Sequence, residues 1–141
     1  MTKEELMIGN WVYNTHNDQA EQVAEIGSGL VMLAYNDLYE YDEIEPIPLT
    51  SEILEANGWD KVPQPGCANP YHWELSKYED DKEDDAYLLY RVKAYETFFR
   101  GMLISISRPS CEDISFRKQV EHVHELQHAL RLCGIDKEIK L

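Results

Sequence analysis

Basic side chains are in short supply in this 141-residue chain: 13 Lys and Arg stand against 27 Asp and Glu, a formal net charge of −14. A surface so acidic repels phosphate backbones and anionic headgroups, which argues against direct nucleic-acid or membrane-surface binding. Cysteine is sparse too. Cys67, Cys111 and Cys133 are odd in number and widely spaced, so they predict reduced thiols rather than a disulfide framework. No apolar run is long enough to cross a bilayer, and Met1 to Leu6 lacks the apolar centre of a signal peptide. The expectation is a cytoplasmic protein. A Gly-rich phosphate loop and a dinucleotide fingerprint are also missing, since Gly27-Ser28-Gly29 reads as a hairpin turn.

What remains is a folding sequence. Its hydrophobic fraction of 43%, with nine Tyr and three Trp, argues against disorder and suits one domain or two very small ones. Residues 1–61 predict a small β-barrel-like unit followed by a short helix. Trp11 to Tyr13, Glu21 to Ile26, Leu30 to Ala34, Leu38 to Tyr41 and Ile44 to Ile47 read as short strands separated by turn residues. Pro46 keeps the last of them at an edge. The spacing suggests a strongly bent sheet or an SH3-like barrel. Thr50 caps the helix that follows, Leu49 staples onto Leu54, and Gly58 ends it. The Pro- and Gly-rich stretch 62–70 is a candidate linker.

Residues 71–141 predict antiparallel strands packed with a long C-terminal helix, which makes the fold class α+β. Tyr71 to Tyr78 and Ala86 to Val92 alternate around a charged loop at Glu79 to Asp85. Thr97 to Arg100 and Met102 to Ile106 suggest a hairpin about Gly101, and Ile114 to Phe116 is either a last strand or a helix entry. From about Val120 to Cys133 the pattern is helical, closed by Gly134.

That helix carries His124-Glu125-Leu126-Gln127-His128, the H-E-x-x-H pattern of zinc peptidases. Residues four apart share a helix face, so two imidazoles can grip one Zn²⁺ while the glutamate between them activates water. His124 and His128 are the candidate metal ligands and Glu125 the candidate catalytic base. A catalytic zinc also needs a third protein ligand. Arg131 and Gly134 stand where the longer motif wants glycine and histidine, and Asp136 and Glu138 follow too closely for a ligand from a next helix. At about 100° per residue, Val123, Leu126, Leu130 and Cys133 share one side of the helix, which turns both histidines toward solvent. No cofactor is therefore expected, zinc being the one candidate.

Two other clusters invite function. Tyr35, Tyr39 and Tyr41 alternate with acids beside a turn, as on surfaces that bind extended peptides. Cys67 and His72 resemble a nucleophile and base in type only, because no electropositive neighbours accompany them. Trp73, Tyr87, Tyr90, Tyr95, Phe98 and Phe99 predict a second core or a dimer interface.

Ile8-Gly9-Asn10-Trp11-Val12-Tyr13, Glu43 to Thr50, Asn57-Gly58-Trp59 and Val123 to Gln127 occur in an order that resembles one group of sequences. These are small uncharacterised proteins of gut bacteria and their phages or mobile elements. In that group the last motif reads V-H-x-L-Q-N, with no fixed glutamate and with asparagine at the position of His128. The resemblance implies a cytoplasmic, mobile-element setting and brings no catalytic residues with it. The expected function is a non-enzymatic accessory role through a protein partner or self-association. The alternatives are a zinc-dependent hydrolase at His124 and His128, and an acidic mimic of nucleic acid.

Overall fold

A computed structural model describes residues 1–80, 86–97, 100–108 and 114–141, with the side chains of 79, 80, 86, 87 and 114 excepted. Two five-stranded antiparallel sheets carry most of the chain, joined by short helices, and the fold is α+β. The first sheet contains β1 (Trp11–Asn14), β2 (Gln19–Ile26), β3 (Leu30–Leu33), β4 (Leu38–Glu40) and β5 (Ile44–Glu45), in the order β4-β3-β2-β1-β5. Alternation drives it: Val12, Val23, Val31, Leu33, Tyr39 and Ile44 turn inward and form its core. The first half of β2 pairs with β1 and the second half with β3, and a bulge between Val23 and Glu25 bends the strand where it changes partner.

The barrel expectation fails here. β4 and β5 stand at opposite ends of the sheet and do not pair, so it stays open rather than closing SH3-fashion. A 3₁₀ turn at Tyr41–Glu43 occupies the chain between them.

Helix α1 (Ser51–Ala56) begins as its sequence requires, with the Thr50 hydroxyl accepting from the Ile53 N–H at 3.3 Å. Gly58 follows with φ +84. The second sheet is a meander of β6 (Asp60–Pro63), β7 (Tyr71–Asp80), β8 (Ala86–Glu96), β9 (Met102–Arg108) and β10 (Ile114–Val120). Gln64 to Pro70 forms the connection of the β6–β7 pair, with Gln64 N–H donating to Pro70 O at 2.8 Å. Leu54 and Trp59 join the core of this second sheet, beside Val92, Ile104 and Ile106. Trp73 is buried there and Tyr90 packs half-buried against it. Met102 onward pairs with β8 rather than with the expected arm at Thr97 to Arg100, of which Phe98 and Phe99 lie outside the described residues. The side chain of Tyr87, the acidic stretch 81–85 and Cys111 lie outside them as well.

The C-terminal helix is shorter than its periodicity predicts. Val120 pairs with Met102 as the last residue of β10, and α2 runs only from Val123 to Leu132. Non-local pairing wins those residues for the strand, a choice that local periodicity does not record. The C-terminal end follows expectation: Gly134 takes φ +69 and Ile135 N–H returns to Leu130 O at 2.8 Å. Arg108 adds a cation there, donating to Cys133 O at 2.8 Å. Among the described residues no helix is long and apolar enough to cross a membrane.

Candidate functional site

Helix α2 packs on the second sheet through Val123, Leu126, Ala129 and Leu130. Its opposite side is not left to solvent. The segment Met7 to Trp11, which leads into β1, lies across it and is held by three consecutive kinds of polar clasp. Gln127 is buried, and its amide accepts from Trp11 N–H at 2.9 Å while donating to Gly9 O at 3.0 Å. Arg131 Nη2 donates to Ile8 O at 2.7 Å. His128 Nε2 lies 2.7 Å from Asn10 Oδ1. Gly9 has φ +89, a conformation that favours glycine, and a Cβ there would fall 2.6 Å from Arg131 Nη2 and push that guanidinium aside.

This arrangement reverses the expected direction of the histidines. His124 is only 7% exposed and His128 is half-buried. A single-stripe wheel assigns one buried side, whereas α2 is covered on two.

The protonation of His128 follows from its neighbour. Asn10 Oδ1 also accepts from Met7 N–H at 2.7 Å, so oxygen, not nitrogen, must face that donor. An amide oxygen can only accept, so His128 Nε2 carries the proton and its lone pair sits on Nδ1. Burial, with Arg131 and Lys118 nearby, lowers its pKa and keeps it neutral. Burial holds His124 lower still, at about 4, and its Nδ1 is buried without a partner. Its ring stacks on His122 at 5.7 Å between centroids and meets His128 edge-on at 5.6 Å.

Glu125 points back along the helix. Its Oε1 accepts from Glu121 N–H at 3.2 Å and His122 N–H at 3.1 Å, and lies 2.9 Å from His122 Nδ1. This is the reciprocal half of a capping box, placing a carboxylate on the positive end of α2. Its oxygen thus serves the helix start, and a general base would need that oxygen directed at a metal-bound water. Among the described residues no three His, Cys, Asp or Glu side chains converge to hold a metal ion. The motif lines a cleft of about 500 Å³ that it shares with Glu4, Glu5, Pro46 and Gln119.

The remaining candidates separate. Tyr39 is buried and accepts from Asn17 Nδ2, and Tyr41 is half-buried and donates to Gly27 O, which leaves Tyr35, 72% exposed, as the accessible tyrosine of the three. Cys67 is exposed on its loop, while His72 pairs with Glu74 at 3.3 Å and packs its ring near Tyr95.

Sequence reading passes over a second depression, on the other flank of α2. A groove of about 380 Å³ runs between β10 and the helix, floored by Met7, Phe116, Ala129 and Leu132. Lys118, Arg131 and the ring of His128 rim it. No carboxylate lines it among the described residues, in a chain with 27 of them. Leu132 is 75% exposed. The only advance signal was Leu132 itself, an apolar residue off the core stripe. Comparison of the chain with protein-family models, with curated proteins and with solved structures gives no match, so the geometry alone carries the functional reading.

Proposed function

We propose that this chain is a non-enzymatic accessory protein that acts by binding another protein, and that the groove between β10 and α2 is its contact surface. The observation that carries this reading is the groove's composition. Apolar and sulfur-bearing side chains floor it, an arginine and a lysine border it, and carboxylates avoid it. Methionine, aromatic and arginine side chains are the types enriched where proteins meet, and an isolated basic patch on an acidic molecule attracts an acidic partner. A hydrolytic role draws no comparable support, since Glu125 serves the helix start and His128 holds Asn10. The exposed Cys67 and buried Cys133, both unpaired, suit the cytoplasm, and the resemblance noted above suits a phage or mobile-element setting.

The test is photo-crosslinking in cells, with benzoylphenylalanine in place of Leu132 or, as control, of the exposed Glu52 on α1. The expected outcome is a discrete protein adduct at position 132 that Lys118→Glu abolishes. Identical adducts at both positions, or adducts indifferent to Lys118→Glu, overturn the reading.

A further inference from the structure

We propose that the partner engages this groove as an added β-strand: an extended, acidic segment pairing with the free edge of β10. The inference rests on the binding reading above and specifies its occupant. Four strands end the two sheets. β4 has three residues, β5 two and β6 four, whereas β10 has seven. Short terminal strands are how proteins discourage unwanted pairing, and a long one is a template. β10 pairs with β9 in unbroken register from Ile114↔Arg108 to Val120↔Met102, with no bulge to twist its outer edge away. No described strand pairs with β10 on its outer edge, and just past its end Pro48 bridges His122, so the open stretch runs to Val120.

The side chains select the occupant. Alternation turns Phe116 and Lys118 toward α2 and into the groove, and puts Ser115 and Arg117 on the other face. A second copy of β10 pairing antiparallel about Arg117 would set Arg117 against Arg117, a like-charge contact that disfavours self-association through this edge. Carboxylates on an incoming strand would instead meet Lys118 and Arg131, with apolar side chains between them covering Phe116, Ala129 and Leu132. Main-chain hydrogen bonds then supply affinity and the groove supplies selectivity.

The probe is an acetylated seven-residue peptide with glutamate and leucine alternating at its odd positions, so that both lie on one face, and threonine at the positions between them. Two analogues accompany it, one with lysine for glutamate and one N-methylated at alternate backbone amides. Fluorescence anisotropy reads binding, and amide hydrogen exchange reads protection along residues 115–119. The expected result is saturable binding of the acidic peptide, slowed exchange on β10, and about tenfold weaker binding for Lys118→Glu and for the N-methylated analogue. Equal binding of the N-methylated analogue overturns strand addition and leaves the groove as a contact surface. Failure of the acidic peptide to bind, or equal binding of the lysine analogue, overturns both. Protection of β10 that rises with protein concentration in the absence of peptide identifies a second copy as the occupant and overturns the acidic-partner assignment.

Discussion

The two flanks of α2 share His128 and little else. One flank holds three histidines and several glutamates, the richest chemistry in the chain, yet Glu125 and His128 answer to neighbours within the fold. The other flank holds leucine, phenylalanine and two bases, shows no motif, and faces outward. The difference teaches that a motif's meaning lies in where its lone pairs and protons are already spent. His124 to His128 reads as a metal grip until Asn10 and the start of α2 are seen to claim His128 and Glu125. Lys118 and Leu132 read as ordinary surface until the scarcity of bases elsewhere is considered.

The comparison is broken most forcefully at the clasp. Gln127→Leu leaves Trp11 N–H unpaired and Gly9 O with only the Gln22 amide at 3.1 Å, and it should cost about 2–3 kcal/mol in urea unfolding. A change within a few tenths would mean that the N-terminal segment is held elsewhere. His128→Ala removes one donor to Asn10 and should cost about 1–2 kcal/mol, with His128→Gln recovering much of it because an amide N–H can take the same place. A metal ligand would behave oppositely, tolerating neither change when metal is present and either when it is absent.

pH sharpens the histidine flank. In the unfolded chain His124 titrates near 6.5, and in the folded protein at about 4. Between those values the unfolded state binds the proton and the folded state does not, so stability is full above 6.5 and declines as pH falls toward 4. His128, also lowered, contributes in the same direction. The variant His124→Leu, which removes an unpartnered buried nitrogen, should flatten that decline without lowering stability at pH 7, as followed by thermal melts. The smallest stability effect belongs to the other flank. Lys118→Glu and Leu132→Glu, both at exposed positions, should stay within about 0.5 kcal/mol of the parent while binding the acidic peptide about tenfold more weakly.

Much of the local structure was legible in advance. Thr50 and Gly58 bound α1 because capping and positive φ are decided by the residue itself. Alternation located most strands of both sheets for the same reason. What the sequence hid was everything set by distant partners. Val120 belongs to a strand because Met102 pairs with it. Gln127 meets Gly9 across 118 residues of sequence, and no local pattern encodes such a contact. Two of the segments that carry the family resemblance, Ile8 to Tyr13 and Val123 to Gln127, turn out to touch, and their joint occurrence was the nearest thing to a signal. The wheel misplaced the histidines because it assumes one buried side, and the first sheet stays open because strand count alone does not specify closure.

The central claim is that the histidine flank is an internal clasp, and imidazole ¹⁵N NMR during a zinc titration tests it most directly. The account predicts that His128 is neutral with its proton on Nε2, and that equimolar zinc moves neither His124 nor His128. A concerted shift of both rings to the metal-bound pattern at equimolar zinc, with His128 losing its Nε2 proton, would contradict it.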